Sequence, residues 1–194
     1  MKHAIIVAHP NPASFTLSVA RAYEAAITAA GHSAVMRDLY AMQFDPRLAA
    51  DEIPGAKGFA PHDDVKTERK LLFDVNVFAF VYPLWLNAPP AILKGYLDRV
   101  FGMGFAYGPV GGGTQQFLTG RTMISFTSSG APEEWVKKTG AWDALRKLFD
   151  EHFAAVCGLD ILDHVHFGGV VPGMRPDAVE RLLEEMRAAV ARHF

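Results

Sequence analysis

The chain has 194 residues, half of them hydrophobic, and a formal net charge of −2 from 19 basic and 21 acidic residues. These values predict a single domain over residues 1–194 with a sizeable core, and nucleic acid is not expected as a main partner because no basic run stands out. The lone Cys157 excludes an internal disulfide, favours a reducing cytoplasm and is expected to be a buried small hydrophobe.

The chain opens with a predicted strand, loop and helix. An apolar run at residues 4–8 precedes a loop at residues 9–16, and an Ala-rich helical pattern then continues to Gly31. In an open α/β sheet, ligands bind at such a loop, between the carboxyl end of a strand and the N-terminus of a helix.

The loop at residues 9–16 has the donors that a phosphate needs. Unpaired N–H groups at a helix N-terminus attract anions, and Ser14, Thr16 and His9 can add side-chain donors. The glycines of a P-loop or a dinucleotide fingerprint are missing. The alternative interpretation is an ordinary helix with Ser14 as its N-cap.

The next part of the chain predicts a sheet that is buried on both faces. A second strand is expected at residues 33–39, a long irregular connection at 40–61 and a helix at 63–74. Residues 77–82 form a continuous apolar run, which is typical of a strand in a parallel sheet. Prolines and asparagines interrupt the apolar region 75–93, so no membrane-spanning helix is expected.

The third strand is followed by a stiff turn and another helix. The turn begins at Pro83, and Pro89 and Pro90 start a predicted helix at residues 91–101. Residues 105–113, which are rich in glycine, are expected to form a long loop. A fourth strand at residues 121–126 ends in a loop of small residues at 127–130.

The remaining elements complete an alternating α/β pattern. Helical spacing of apolar residues runs from Trp142 to Val156 and stops at Gly158, a fifth strand covers residues 161–167, and a last helix covers about 176–192. Five strands and five helices in alternation predict a flavodoxin-like three-layer sandwich, with a parallel sheet in the order 2-1-3-4-5.

In this order, the loops after strands one, three and four meet at one edge of the sheet. Together they would suit a flat ring with a phosphate tail, such as a flavin. Backbone N–H groups of residues 84–86 and 128–130 are expected to bond the polar edge of the ring and to stabilise its reduced, negatively charged form. Trp85 and Tyr107 are candidates for the walls of a substrate pocket, with plain core packing as the alternative for both.

Several segments resemble the DT-diaphorase-like NAD(P)H:quinone oxidoreductase family, over roughly residues 4–170. The similar segments are Ala8–Pro12 with Ser14-Phe15, Asp38–Tyr40, Phe44–Pro46, Tyr82–Trp85, Pro90–Phe101 and Phe105–Tyr107. The resemblance implies a bound flavin, NAD(P)H as co-substrate, two-electron reduction of quinones and a homodimer with sites at the subunit interface. FMN is ranked ahead of FAD, because the short bacterial relatives often carry FMN.

The resemblance also implies which residues contact the flavin. The implied contacts are His9, Ser14, Phe15, Thr16 and Leu17 in the first segment, Pro83, Leu84, Trp85 and Leu86 in the second, and Thr127, Ser128, Ser129 and Gly130 in the third. The flavin itself carries the hydride chemistry, so no catalytic side chain is assigned.

The sequence departs from the family at the residues credited with relaying a proton. The animal enzymes place a Tyr and a His in the loop after the fourth strand, where Trp135 and Ala141 stand in this chain. Neither side chain can pass on a proton, which leaves the proton donor unassigned. The short length and this departure also admit a second hypothesis, a flavin-binding regulatory subunit of a membrane potassium-efflux transporter.

Four charged or titratable residues have two interpretations each. Lys94 and Arg99 could attract a nicotinamide phosphate, but a solvated helix face is expected. His164 and His166, near Asp163, could form a metal site, but structural histidines with satisfied hydrogen bonds are expected and no metal is predicted.

Overall fold

The computed structural model describes residues 1–194. Its strands are β1 (Lys2–Val7), β2 (Ser33–Asp38), β3 (Val77–Pro83), β4 (Tyr107–Val110), β5 (Gly113–Gln116), β6 (Arg121–Ser128) and β7 (Leu159–Phe167). Its helices are α1 (Phe15–Ala29), α2 (Asp63–Leu71), α3 (Ala91–Val100), α4 (Glu133–Lys138), α5 (Ala141–Leu145), α6 (His152–Cys157) and α7 (Pro176–His193). A 3₁₀ turn covers Ala50–Glu52, and a π-helical segment, Arg146–Glu151, joins α5 to α6.

Five strands form one parallel sheet in the order β2-β1-β3-β6-β7. Because β4 and β5 lie outside this sheet, the order is the predicted 2-1-3-4-5, which is confirmed. Every residue of β3 is buried, as its continuous apolar run predicts. The carboxyl ends of β1, β3 and β6 therefore lie side by side at one edge.

Hydrophobic clusters cover both faces of the sheet. A cluster of 25 residues packs α2, α3 and α6 on one face, and a cluster of 16 residues packs α1 and α7 on the other. The predicted three-layer arrangement is thus confirmed, and the strand ends are held by a packed core on both sides. None of the seven helices has the length and apolarity that a bilayer crossing requires.

The prediction of a long loop at residues 105–113 is wrong. Strands β4 and β5 pair there as an antiparallel hairpin. Its two central residues, Gly111 and Gly112, have φ values of 60° and 85°. Two-residue hairpin turns of this type need positive φ at both positions, so the glycines that suggest a loop are what close the hairpin.

The predicted helix at residues 142–156 is interrupted, and a short helix, α4, precedes it. The interruption is the π-helical segment, in which each backbone N–H donates to the carbonyl five residues earlier instead of four. Helical spacing of apolar residues cannot reveal such a segment, because the periodicity differs by only one residue over one or two turns.

Strand β7 contains one residue more than the part of β6 that it pairs with. Met123 lies opposite Ile161, but the next residue, Ile124, lies opposite Asp163. Leu162 is the extra residue. As a result, Ile161 packs against the cluster on the α6 face, while Leu162 packs against the cluster on the α1 and α7 face.

The prediction that Arg99 lies on a solvated helix face is wrong, although Lys94 on the same helix is exposed as expected. Arg99 is 5% exposed and its guanidinium lies 2.9 and 3.1 Å from the Glu52 carboxylate. It also donates to Asp64 at 2.7 Å and to the carbonyl of Asp45 at 2.7 Å. Helix α3 has a second buried side, which faces the connection after β2.

Cys157 is expected to be unreactive in the native protein. It is 1% exposed, and burial raises the pKa of its thiol to about 12. At a pH near the ordinary thiol pKa of about 8.5, a disulfide reagent should therefore titrate no thiol in the folded chain and one thiol in guanidinium. Rapid labelling of the folded protein would contradict this burial.

Candidate functional site

A cavity of about 320 Å³ lies at the carboxyl edge of the sheet, between the loops that follow β1, β3 and β6. Most of the predicted flavin contacts line it: His9, Ser14, Phe15, Thr16, Pro83, Leu84, Trp85, Ser128, Ser129 and Gly130. The three distant segments therefore meet, and the cavity has the size of a small-ligand site.

Four predicted site residues lie outside this cavity. Leu17 is buried in the core, and the side chain of Leu86 is fully exposed. Thr127 is buried in β6. Tyr107 lines different cavities beside α3, so a single chain does not bring it to the candidate site.

Two residues of the cavity wall are absent from the sequence prediction. Val170 and Pro172 line the cavity from the loop after β7. This loop also leaves the carboxyl edge of the parallel sheet, and that position is the signal that could have indicated them.

The start of α1 combines a capped helix with free anion donors. Ser14 is its N-cap, and the Ser14 hydroxyl accepts from the Leu17 N–H at 3.3 Å. The capped-helix interpretation and the anion-site interpretation are thus compatible. The first intrahelical bond is from the Ser18 N–H to the Ser14 carbonyl at 3.1 Å, so the N–H groups of Phe15 and Thr16 are left for an external acceptor.

His9 adds a ring N–H to this donor set. The Asn11 N–H donates to His9 Nδ1 at 3.0 Å, so a neutral ring carries its proton on Nε2. Burial lowers the pKa of His9, which favours that neutral form at pH 7. Since no carboxylate lines the cavity, the donors from His9, Ser14 and Thr16 fit an anion such as a phosphate.

The backbone donors expected to face a ring are partly used inside the protein. The N–H groups of Leu84, Trp85 and Ser129 donate to the carbonyls of Ser128, Ala88 and Phe167 at 2.7, 3.0 and 3.0 Å. These bonds close the turns themselves, so the expectation for all six N–H groups is too broad. Leu86 and Gly130 retain N–H groups without such a partner.

The histidines of β7 have the satisfied bonds expected of structural residues. The Thr127 hydroxyl lies 2.8 Å from His164 Nε2 and 2.9 Å from His166 Nδ1. No group of three or more His, Cys, Asp or Glu side chains is arranged to hold a metal ion.

The positions expected to replace the family's relay residues lie on α4 and at the start of α5. Trp135 is 57% exposed on α4. Ala141 begins α5, and its carbonyl accepts from the Asn87 side chain at 2.9 Å, which ties α5 to the loop after β3. Neither position brings a titratable group to the site.

Known proteins match the chain over most of its length. A family model described as a flavodoxin-like fold matches residues 1–194. An uncharacterized NAD(P)H oxidoreductase of Haemophilus influenzae is 33% identical over 171 residues, which cover 88% of this chain and 85% of that protein.

Solved structures share the whole fold. An NAD(P)H:quinone oxidoreductase from Methanothermobacter marburgensis has a TM-score of 0.86 and 28% identity, over 100% of this chain and 98% of that one. General stress protein 14 of Treponema denticola, in complex with FMN, has a TM-score of 0.69 and 24% identity, over 98% and 97% of the two chains, and shows the fold alone. The chain therefore belongs to the flavodoxin-like family of NAD(P)H:quinone oxidoreductases, as its motifs predict.

Proposed function

We propose that this protein is an FMN-dependent NAD(P)H oxidoreductase that reduces quinones or related acceptors. The observation that carries the proposal is the cavity between three loops. Near the start of α1 this cavity offers hydrogen-bond donors and no carboxylate, as an anion-binding site requires. The names of the two most similar proteins described above agree with this activity. When bound, FMN would supply the two-electron redox chemistry.

The side chains of the site would bind and orient. His9, Ser14 and Thr16 would hold the phosphate, and Pro83 would stiffen the turn that borders the ring. Trp85, whose ring lies 5.9 Å from that of His9 and which is 43% exposed, would form the wall on which a nicotinamide or a quinone stacks. One pocket that serves both substrates in turn gives ping-pong kinetics.

Two measurements test the proposal. The mass of the ligand released by denaturation distinguishes FMN from FAD. Protein reconstituted with FMN should oxidise NADH or NADPH with a quinone as acceptor and should give parallel double-reciprocal plots. The absence of any oxidation with quinone, nitro and azo acceptors would refute the proposal.

Replacing Thr16 with valine should weaken FMN binding by roughly tenfold or more, because a hydrogen bond to a charged group contributes about 1.5–3 kcal/mol. Binding is measured by the quenching of flavin fluorescence. Thr28→Val, at the exposed far end of α1, is the matched control and should bind FMN normally. Riboflavin lacks the phosphate, so an equal loss of riboflavin affinity would mean that Thr16 acts by packing instead.

We also propose a homodimer in which a second copy covers the mouth of the cavity. Trp85 and the fully exposed Leu86 present apolar surface there, which a partner would bury. Sedimentation at micromolar concentration should show a dimer, and a monomer would contradict it. No feature of the fold or the cavity favours the regulatory subunit of a potassium-efflux transporter, so we do not propose it.

A further inference from the structure

A continuous series of hydrogen-bonded side chains runs from the cavity into the protein interior. Ser129 Oγ lies 3.0 Å from His166 Nε2, and His166 Nδ1 lies 2.9 Å from Thr127 Oγ1. The same Thr127 oxygen lies 2.8 Å from His164 Nε2, and His164 Nδ1 lies 2.6 Å from Asp150 Oδ2. We call these five residues the histidine row.

The sheet and the π-helical segment bring the row together. Thr127 lies opposite His166 in the pairing of β6 with β7, and Ser125 lies opposite His164, so their side chains share one face. Asp150 comes from the π-helical segment above that face and accepts from the Ser125 hydroxyl at 3.3 Å. Such segments are rare in proteins and occur frequently at functional sites.

The row opens to the outside only through the cavity. The side chains of Asp150 and His164 are 0% and 1% exposed, and Thr127 and His166 are buried as well. Ser129 is the one member that lines the cavity. A proton that enters or leaves the row at this end therefore does so at the proposed flavin site.

Asp150 sets the direction of every hydrogen bond in the row. A carboxylate only accepts, so His164 donates from Nδ1. In a neutral His164, Nε2 then accepts from the Thr127 hydroxyl, whose oxygen accepts from the Nδ1–H of His166. His166 Nε2 consequently faces Ser129 without a proton.

One added proton reverses these bonds without breaking any of them. A doubly protonated His164 donates from Nε2 to Thr127, and Thr127 donates to His166 Nδ1. The proton of His166 then lies on Nε2 and is donated to Ser129 Oγ. The Ser129 hydroxyl is free to donate to the Ala131 carbonyl, at 3.0 Å, or to a group in the cavity.

We propose that the histidine row is a one-proton store that supplies the cavity, in place of the relay side chains missing at Trp135 and Ala141. This inference rests on the proposed function. When Ser129 gives its proton to an acceptor in the cavity, it takes the Nε2 proton of His166. His166 takes the proton of Thr127 at Nδ1, Thr127 takes the Nε2 proton of His164, and no electrons move. Ser129 touches the acceptor, and the other four are positioning residues.

Three side chains surround the inner end of the row, beside Asp150 and His164. Arg146 Nε lies 3.9 Å from Asp150 Oδ2, and its side chain is 44% exposed. The Tyr82 hydroxyl is buried without a partner, and burial, together with the nearby Asp150 charge, raises its pKa well above the usual value, so it stays neutral. The Trp142 ring, whose centroid lies 4.7 Å from that of His164, covers the pair and does not titrate.

His166, the histidine next to Ser129, is difficult to protonate. Burial, and to a smaller extent the charge of His164, lowers the pKa of His166 to about 4. From α4, Glu133 acts in the opposite direction and Lys137 in the same one. A positive charge is therefore unfavourable on His166, whereas the carboxylate of Asp150 lies beside His164.

Ring ¹⁵N NMR of the full-length protein over a range of pH tests the store. In the wild type, His164 and His166 should both be Nδ1–H tautomers when neutral. His166 should change to the Nε2–H form in the same pH step in which His164 gains its second proton. Asp150→Asn should abolish this joint step, as removal of an orienting carboxylate gives the wrong histidine tautomer in serine proteases. Asp160→Asn, exposed on the same strand, is the matched control and should keep the step.

Thr127→Val removes the central hydroxyl but keeps the branched shape, so His166 should no longer follow His164. Thr122→Val on the same strand should behave as the wild type. At a pH at which the row is protonated, reduction of bound FMN with dithionite should shift His166 from Nε2–H to Nδ1–H, because the row gives its proton to the cavity. If His166 still changed tautomer together with His164 in both row variants, or if it did not respond to reduction, the proposal would be overturned. If the protein bound no FMN, the proposed function would be refuted instead. The histidine tautomers of the two row variants would still test the histidine row.

Discussion

Replacing Arg99 with methionine is expected to lower the free energy of unfolding by about 3–5 kcal/mol, measured by chemical denaturation. Methionine fills much of the same space but leaves the Glu52 carboxylate, whose side chain is 3% exposed, buried without a partner. Asp64 is affected less, because its side chain is 46% exposed and can be solvated. The bond from Arg99 to the Asp45 carbonyl is lost as well.

Two further variants separate charge from packing. Lys94→Met, on the exposed side of the same helix, removes a surface pair with Asp98 and should change stability by less than about 0.5 kcal/mol. The double variant Arg99→Met with Glu52→Gln should recover part of the loss, because no buried charge remains. An Arg99→Met variant as stable as the wild type would mean that water reaches the Arg99–Glu52 pair.

The stability lost in Arg99→Met should also depend on pH. Burial alone would raise the pKa of Glu52, but the hydrogen bonds from Arg99 and from the backbone outweigh it and hold that pKa below its usual value of 4.5. The pair therefore stabilises the fold fully above pH 4.5, and its contribution is lost as the pH falls through the lowered value. The difference between wild type and Arg99→Met should shrink in acid.

Gly95→Ala is expected to destabilise the protein by about 3 kcal/mol, although alanine favours a helix by about 1 kcal/mol. A Cβ at position 95 would lie 2.2 Å from the carbonyl oxygen of Pro46 and 2.6 Å from its Cα. Backbone atoms cannot turn aside as a side chain can, so α3 or the loop at Pro46 must shift. Thermal and denaturant unfolding both measure the loss.

Gly113→Ala is the matched control for this substitution. Its Cβ would meet nothing nearer than the Val110 carbonyl at 3.8 Å, so we expect a change within about 0.5 kcal/mol. A Gly95→Ala protein as stable as this control would show that α3 does not approach Pro46 so closely.

The sequence predicts the fold and the meeting of the three loops because both follow from element order. An apolar strand such as β3 must be packed against other elements on both faces. The strand order then brings the loops after β1, β3 and β6 together. Arg99 illustrates what local patterns miss. Together with Gly95, one turn earlier, it faces a long connection whose path depends on contacts far along the chain.

The histidine row is beyond sequence reasoning for a similar reason. Alternation along β7 shows that His164 and His166 share a face but not what they face. Their partners depend on the pairing of β6 with β7 and on an irregular helical turn that carries Asp150. Neither the register nor the π-helical segment has a sequence signature.

The additional residue in β7 has a consequence for length variants. Deleting Leu162 would leave a regular strand in which Ile161 and His164 still point to the same side. Deleting Val165 would instead exchange His166 with Phe167, placing an aromatic ring among polar groups and an imidazole in the opposite apolar layer. Shortening by one residue is therefore tolerable at Leu162 and disruptive at Val165, three positions along the same strand.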